Sequence, residues 1–277
     1  MNQPLLHTIP ALVSIAAKSV SQTSCVEPSR LICIAEETPV AFRYNEFAHA
    51  VMMATPDDLH DFAVGFTRSE GIIEHSSDLQ NIAIHEGDDG ITLDISLSGK
   101  SLHRYLAGRR VRQLRGHTSC GLCGVEDLDD VRRPAARVAP ARPPDAKAVA
   151  FALEALRARQ PLSRLTRGAH ASAWVTPEGA LCTVREDVGR HNSLDKLIGA
   201  LLRNETSSAG FCLITSRCSF EMVQKAVTAG FSTLVSVGMP TAFAVRSAEA
   251  ARLTLYSLSR EGEPLQFTSS ERPEEKI

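Results

Sequence analysis

Two cysteines separated by two residues are the side chains of this 277-residue chain best suited to chemistry. Cys120 and Cys123 stand in a run of glycine and small polar residues, residues 115–124. Each thiol of such a pair lowers the pKa of the other, because a neighbouring S–H or N–H group stabilises the thiolate. Gly121 and Gly124 allow a sharp turn and the close approach of other groups. The spacing therefore predicts an accessible, nucleophilic pair of sulfur atoms.

Three interpretations of the cysteine pair are open. A structural zinc site needs four ligands; the pair supplies two and His117 a third, so the fourth would come from a distant residue or a second subunit. A thioredoxin-type redox pair would begin a helix after a strand. A thiol that carries a group, such as persulfide sulfur, needs a mobile loop. The spacing does not choose between the last two. None of the other cysteines forms a second such pair: Cys25, Cys33, Cys182, Cys212 and Cys218.

The composition narrows the class of protein. Hydrophobic residues make up 43% of the chain and charged residues 22%, with a formal net charge of −2. Nothing in this charge calls for nucleic acid or an anionic membrane as a partner. The chain has no apolar run long enough for a transmembrane helix and no signal-peptide pattern, so we expect a cytoplasmic protein. In that compartment cysteines stay reduced, which favours the reactive-thiol interpretations.

The first third of the chain predicts a small domain. Residues 1–30 show no sustained periodicity and predict a poorly ordered arm. Residues 31–108 predict an α+β domain in which Thr55 is the N-cap of a helix that ends at Gly71. Its predicted strands are 31–34, 40–44 and 49–53 in an antiparallel meander, and 82–85 and 91–97 in a hairpin.

Residues 109–144 predict a long linker that carries the cysteine pair. Arginines precede the pair, acidic residues follow it, and four prolines mark the exit. Between Tyr105 and Phe151 the sequence has no aromatic residue, so the stacking platforms of single-strand binders are missing and we exclude a nucleic-acid arm. A connection this long in a compact protein suggests a use of its own.

Residues 145–268 predict an α/β domain, and residues 269–277 a charged tail. A helix begins at Asp145, a hairpin follows, and strands then alternate with helices over short links. Asn192 is the predicted N-cap of one of these helices. The alternation favours βαβ units and a mostly parallel sheet.

The carboxyl ends of parallel strands are the usual place for a ligand in such a domain. Three segments fall there, each with small residues or a cation that suit phosphate oxygens: 216–219, 238–241 and 259–262. Each signal is weak alone, because an arginine at a strand end is more often a solvated charge. His170 and His191 are, by the same reasoning, more often structural donors than ligands.

Several unusual motifs occur together in one order along the chain. They are Met52-Met53-Ala54-Thr55-Pro56, Ser69-Glu70-Gly71-Ile72-Ile73, Ser119-Cys120-Gly121-Leu122-Cys123-Gly124, Glu186-Asp187-Val188-Gly189-Arg190-His191-Asn192, Leu194-Asp195-Lys196, Ser216-Arg217, Glu221-Met222-Val223-Gln224-Lys225 and Pro240-Thr241. Through this set, from about residue 31 to 268, the chain resembles the formate dehydrogenase accessory sulfurtransferases, the FdhD family. The resemblance rests on the whole series, since a single Cys-x-x-Cys is not specific.

This resemblance implies a function. Members of the family take persulfide sulfur from a cysteine desulfurase and pass it to the molybdenum cofactor, Mo-bis(molybdopterin guanine dinucleotide), before the cofactor enters formate dehydrogenase. The resemblance assigns the persulfide to Cys120, with Cys123 assisting, and no permanent metal. It also implies a homodimer and a cytidine-deaminase-like, three-layer C-terminal domain.

The resemblance also indicates cofactor contacts. The family's cofactor-binding strand end corresponds here to Leu258, Ser259, Arg260, Glu261, Gly262 and Glu263. We add Arg217 and His191, which lie in matching motifs, and Lys225 is a further candidate cation. The strand-end segment is less basic than in relatives, and an aromatic residue that relatives often carry is missing.

Two other functions were weighed. A zinc deaminase needs His-x-Glu together with Pro-Cys-x-x-Cys; no histidine here is followed by Glu two residues on, and Ser119 precedes Cys120. We therefore reject deamination. The alternative from another class is a non-catalytic chaperone that holds the molybdenum cofactor for formate dehydrogenase, with the cysteine pair as a clasp or zinc site.

Overall fold

The computed structural model describes residues 11–17, 30–113, 137–205 and 209–269. In this part of the chain twelve strands form three sheets, accompanied by seven α-helices and one short 3-10 helix. A two-stranded ribbon comes first, a four-stranded sheet second and a six-stranded sheet third. In the described residues no helix is long and apolar enough to cross a membrane.

The ribbon pairs β1 (Leu12–Ala17) with β2 (Arg30–Ala35) in antiparallel register. Two predictions are wrong here. Residues 12–17 belong to the segment expected to be a poorly ordered arm, yet they form a strand because β2 satisfies their backbone groups. β2 was expected in a meander with the next strand, but it pairs with β1 instead.

The four-stranded sheet has the order β4-β3-β6-β5. Its strands are β3 (Thr38–Tyr44), β4 (Phe47–Ala54), β5 (Leu79–Gly87) and β6 (Gly90–Leu97). The predicted hairpin is confirmed as β5–β6, while β3 and β6 run parallel in the centre. Asn45 and Glu46 join β3 to β4 with φ of 45° and 74°, the left-handed geometry of a tight hairpin turn.

Two helices accompany this sheet, α1 (Leu59–Ser69) and α2 (Gly99–Gln113). Phe62 and Phe66 of α1 pack against Phe42 of β3, with ring centroids 5.1 and 4.2 Å apart. The helix begins four residues after the predicted N-cap Thr55, because Thr55 is engaged elsewhere. α2 was missed: its residues 109–113 were assigned to the linker, since its sequence is polar on most sides.

The six-stranded sheet has the order β12-β11-β10-β9-β7-β8. Its strands are β7 (His170–Val175), β8 (Leu181–Asp187), β9 (Phe211–Arg217), β10 (Thr233–Gly238), β11 (Thr254–Leu258) and β12 (Pro264–Thr268). Only β9, β10 and β11 pair in parallel. The sheet is therefore mixed rather than mostly parallel, because antiparallel strands extend it at both sides.

Helices cover both faces of this sheet. They are α3 (Ala146–Ala158), α4 (Pro161–Thr166), α5 (Arg190–Arg203), α6 (Phe220–Ala229) and α7 (Ala242–Ala251). Side chains of α5, α6 and α7 pack on one face and those of α3 on the other. The result is a three-layer α/β unit; its likeness to the cytidine-deaminase fold stays a prediction.

The two parts of the molecule meet where α1 crosses α5. A Cβ atom on Gly65 of α1 would collide with the main-chain oxygen of Asp195, and one on Gly199 of α5 with that of Asp61. Glycine at both positions therefore lets the two helix backbones touch. This crossing fixes the start of α5, which carries several candidate site residues, against the four-stranded half.

Candidate functional site

One edge of the six-stranded sheet collects the carboxyl ends of four strands. β9, β10 and β11 run parallel, and β8 has the same direction as β9 because both are antiparallel to β7. The turns that follow β8, β9, β10 and β11 therefore emerge side by side. The first residue of β7, His170, pairs with the last residue of β8, Asp187, and lies on the same edge. We call this the carboxyl edge.

Three helices begin at the carboxyl edge and point their amino ends towards it. α5 follows the N-cap Gly189 and α6 follows the N-cap Ser219, and neither helix has an N–H group capped by the side chain of its N-cap residue. Thr241 caps α7 through its hydroxyl, which accepts a hydrogen bond from the N–H of Ala244 at 3.2 Å. Uncapped N–H groups and the positive end of the helix dipole favour an anionic ligand.

Arg217 is the last residue of β9 and lies on the carboxyl edge, opposite Gly238 of β10. It is exposed, and within the described residues its guanidinium makes no hydrogen bond or ion pair. The adjacent turns are tied together by the N–H of Thr241, which donates to the carbonyl of Cys218 at 3.0 Å. Arg217 is thus a cation held on a fixed backbone and available to a ligand.

Leu258 ends β11, and the residues after it form the tight turn into β12. The hydroxyl of Ser259 accepts hydrogen bonds from the N–H groups of Glu261 and Glu263, both at 3.2 Å. Gly262 adopts a φ of 86°, which glycine tolerates without strain. The predicted cofactor segment is therefore an ordered turn on the carboxyl edge. Its charged side chains, including that of Arg260, are exposed.

His191 lies in the first turn of α5, and its Nε2 is 4.0 Å from a carboxylate oxygen of Glu221 on α6. Burial lowers the pKa of His191 to about 4, assisted by the positive charges of Arg190 and Lys225. The imidazole is therefore neutral at pH 7. Burial, followed by the charge of Arg190, also lowers the pKa of His170.

Two buried polar atoms at the start of α5 have no hydrogen-bond partner in the part of the chain that the structure describes. They are Nε2 of His191 and Nε of Arg190. Buried polar atoms in proteins are nearly always paired, so an unpaired group calls for a specific explanation. A bound ligand or an ordered water molecule at the start of α5 would supply the partner.

A buried carboxylate holds the turn that carries Arg190 and His191. Asp187 accepts hydrogen bonds from the N–H of Thr55 at 3.0 Å and of Gly189 at 2.8 Å. Lys196, fully buried, forms an ion pair with Asp187 at 2.7 Å and donates to the carbonyl of Thr55 at 2.9 Å. Asp187 therefore links β8 and α5 to the segment before α1.

Asn192 takes part in the same network and is not the helix N-cap that the sequence suggested. Its amide donates to Asp187 at 2.9 Å and to the carbonyl of Met53 at 2.8 Å. Gly189 occupies the N-cap position instead. The prediction was wrong because the sequence does not show which partner an Asn side chain will bind. Here Asn192 binds residues that precede its helix and not the N–H groups of the helix itself.

Lys225 was a candidate cation for the ligand, and its contacts in the structure argue against that role. Its ammonium group donates to both carboxylate oxygens of Asp195, at 3.0 and 2.9 Å, and to the hydroxyl of Ser69 at 2.9 Å. Burial acts to lower the pKa of Lys225, but the carboxylates of Asp195 and Glu70 outweigh it and raise that pKa. Lys225 thus joins α6 to α5 and α1.

Cys120 and Cys123 lie outside the described residues, and so does His117. Among the described cysteines, Cys212 and Cys218 are buried, and burial raises the pKa of the Cys218 thiol to about 12. Burial also raises the pKa of Cys212 well above its ordinary value. No group of three or more His, Cys, Asp or Glu side chains within the described ranges could hold a metal ion.

Sequence reasoning did not single out Arg190 or Glu221. Arg190 stands beside His191 in the motif. A charged residue at the start of a helix is usually solvated, so an arginine there does not by itself indicate a ligand contact. Glu221 reaches the cluster only because the amino ends of α5 and α6 meet. Arg217, the turn after β11 and His191 share the carboxyl edge; that they bind a ligand stays a prediction.

The fold and this edge define an α/β protein in two tightly joined parts, with helix amino ends and an exposed arginine gathered on one edge of the larger sheet. The model of the FdhD/NarQ family matches residues 35–274, and the chain belongs to that family. It is 43% identical over 240 residues to a sulfur carrier protein FdhD from Bordetella petrii, covering 86% of each chain. It is 44% identical to one from Xanthomonas euvesicatoria pv. vesicatoria, covering 86% of this chain and 85% of that protein.

A solved structure has the same fold. The protein from Desulfotalea psychrophila, described as a formate dehydrogenase accessory protein, superposes with a TM-score of 0.71. The match covers 93% of this chain and 98% of that one, at 24% sequence identity. At this identity the likeness concerns the fold.

Proposed function

We propose that this protein is a sulfur carrier that receives persulfide sulfur on Cys120 and delivers it to the molybdenum cofactor used by formate dehydrogenase. The observation that carries the proposal is membership of a family whose relatives, over 40% identical, are named sulfur carrier proteins, joined with the Cys-x-x-Cys pair of this chain. The buried thiols of Cys212 and Cys218 are unsuited to the role, since the thiolate is the nucleophile.

The loading step is a thiol exchange. The thiolate of Cys120 attacks the outer sulfur of a persulfide on a cysteine desulfurase; a new S–S bond forms, the donor's S–S bond breaks, and the donor leaves as a thiolate. Cys120 then holds the persulfide, and no external oxidant or reductant is consumed. The desulfurase is a proposed partner.

The delivery step needs two electrons, because the outer sulfur leaves as sulfide. Cys123 supplies them: its thiolate attacks the inner sulfur on Cys120, a Cys120–Cys123 disulfide forms, and hydrosulfide is released to the cofactor. An external thiol then reduces the disulfide for the next cycle. This scheme gives Cys123 the assisting role and a reason for a second cysteine beside Cys120.

The carboxyl edge is the proposed binding site for the cofactor, which enters as a substrate and is not permanently held. Its diphosphate groups suit the amino ends of α5 and α6 and the guanidinium of Arg217, which has no partner among the described residues. His191, with a buried and unpaired Nε2, supplies a neutral hydrogen-bonding group. The turn from Leu258 to Glu263 is proposed to contact the guanine. A homodimer, measurable by light scattering, is part of the same proposal.

The experiment is intact mass spectrometry after incubation with a cysteine desulfurase and L-cysteine, with and without reductant. We expect a reducible gain of about 32 Da, one sulfur atom, in the wild type and in Cys123→Ala, and none in Cys120→Ala. Cys182→Ala, which removes an exposed cysteine elsewhere, is the matched control and should load normally.

A gain in no variant would exclude the persulfide mechanism. A measurement of formate dehydrogenase activity distinguishes the sulfur carrier from the alternative, a cofactor chaperone. A non-catalytic cofactor chaperone should still support that activity with Cys120→Ala, whereas a sulfur carrier should lose it.

A further inference from the structure

A cleft of about 1270 Å³ opens on the opposite edge of the six-stranded sheet from the carboxyl edge. It is bordered by the residues before β9 and β10, by the end of β7 and by the start of α3. Arg68 and His75, from the four-stranded half, close one side. We call it the amino-edge cleft. None of the described residues proposed for cofactor binding lines it.

The floor of the amino-edge cleft is apolar and partly aromatic. Trp174 and Phe231 pack with ring centroids 4.9 Å apart, and Ile198 and Leu201 of α5 extend the surface. Phe151 of α3, 58% exposed, stands at the wall. A large exposed aromatic ring beside a concave apolar floor is the lining of a small-molecule pocket.

Arg68 brings to the cleft a positive charge that has no direct ion pair among the described residues. Its side chain is partly buried at the end of α1, and among the described residues its guanidinium has no hydrogen bond or ion pair. Burial lowers the pKa of Arg68, and the charge of Glu74 offsets this only in part, so the cation has lost hydration without full compensation. An anionic group on a ligand would compensate for the hydration that the Arg68 cation has lost.

The remaining charges limit how negative the ligand can be. Arg142 and Lys147 also line the cleft, but so do Glu178 and Glu205. Asp145, another lining residue, is already engaged as the N-cap of α3, where it accepts from the N–H of Ala148 at 2.7 Å. The balance suits a single negative charge near Arg68 and disfavours polyphosphates and nucleic acids.

Trp174 provides an independent sign of a ligand. The side chain is 92% buried, and its Nε1 has no hydrogen-bond partner in the described part of the molecule. The indole lies against Gly210, where a Cβ atom would come within 3.0 Å of Nε1. Buried indole N–H groups usually find an acceptor, and this one, on a residue that lines the cleft, has none among the described residues.

We propose that the amino-edge cleft binds a small amphipathic monoanion. Its aromatic or acyl body rests on Trp174 and Phe231, and its carboxylate or sulfonate pairs with Arg68. The site is distinct from the proposed cofactor site and does not depend on the proposed function, because the two occupy opposite edges of the sheet.

The test uses the single tryptophan of the chain, Trp174, as a reporter inside the cleft. The probe is 8-anilinonaphthalene-1-sulfonate, and N-phenyl-1-naphthylamine is its uncharged counterpart. We expect the sulfonate to quench tryptophan emission saturably at one probe per chain, with energy transfer to the probe. We expect the neutral probe to bind about tenfold more weakly, the effect of one charged hydrogen bond.

Arg68→Met should weaken binding of the sulfonate about tenfold and leave the neutral probe unchanged. Arg246→Met, on α7 and away from the cleft, is the matched control and should change neither affinity. Circular dichroism checks that both variants fold. Absence of saturable quenching would overturn the site. Equal affinity for the two probes, or an unchanged sulfonate affinity in Arg68→Met, would overturn the assignment of an anionic ligand.

Discussion

At the residue scale, the motifs that identify the family contain two kinds of residue: some face the candidate site and others hold the fold together. In the motif from Glu186 to Asn192, Asp187 and Asn192 are buried and bind the segment before α1, whereas Arg190 and His191 face the carboxyl edge. Glu186 accepts from the N–H groups of Leu162 and Ser163 and so holds α4. A conspicuous motif therefore contains more structural residues than candidate ligand contacts.

The buried ion pair is the first of these supports that can be tested. Lys196→Met should lower the free energy of unfolding by about 3–5 kcal/mol, because it leaves the buried carboxylate of Asp187 without its countercharge. Urea denaturation measures the change. Arg104→Met, which removes an exposed pair with Glu74 at 3.0 Å, is the control and should cost less than about 1 kcal/mol. Similar losses in both variants would contradict this account.

His191 should make stability depend on pH. Its pKa is about 4 in the folded protein against 6.5 for a free histidine, so below pH 6.5 the unfolded chain takes up a proton that the folded chain does not. The stability of the wild type falls as the pH drops from about 6.5 to about 4. Relative to His191→Gln, which lacks this group, the wild type should lose about 2 kcal/mol between pH 7 and pH 5.

Denaturation of both proteins at the two pH values measures this difference, and NMR titration of the imidazole gives the pKa directly. The comparison with His191→Gln cancels the contribution of carboxylates, which titrate in both proteins. A His191 that titrates near 6.5 would show that the imidazole is not desolvated as the structure has it.

At the element scale, the close crossing of α1 and α5 depends on two glycines, Gly65 and Gly199. Gly65→Ala should destabilise the protein by about 1–3 kcal/mol or more, because its Cβ would meet the main chain of Asp195 and force the helices apart. Thermal denaturation gives the change.

Gly108→Ala, in the exposed middle of α2, is the matched control for this substitution. A Cβ there meets no atom within 4 Å, so alanine should stabilise the helix by up to about 1 kcal/mol. Opposite signs at the two glycines are the expected result. A stabilising Gly65→Ala would show that the helices do not touch as described.

The sequence predicted the elements whose own residues determine them. The β5–β6 hairpin and the strands β9, β10 and β11 follow from alternation and from apolar runs. It did not predict α2 or β12, because α2 is polar and β12 depends on pairing with β11. The late start of α1 was missed because Thr55 binds Asp187, a partner 132 residues away.

At the scale of the whole molecule, the candidate site could be predicted in outline. Parallel strands bring Arg217 and the turn after β11 to one edge, which the alternation of elements indicates. The contact between His191 and Glu221 depends on how α5 and α6 pack, and the loss of Lys225 from the site depends on its contact with Ser69 of α1. Such contacts between distant segments leave no trace in local sequence.

The same distant contacts predict that the two parts of the molecule unfold together. Asp61 of α1, 4% exposed, forms ion pairs with Arg185 of β8 and Arg203 of α5, and the α1–α5 crossing adds to this link. Hydrogen exchange across a urea titration should therefore give one midpoint for peptides of β6 and of β10. Asp61→Asn should lower both midpoints equally, since it weakens a contact that both parts share. Separate midpoints in the wild type, or a shift confined to β6, would mean that the halves are independent domains.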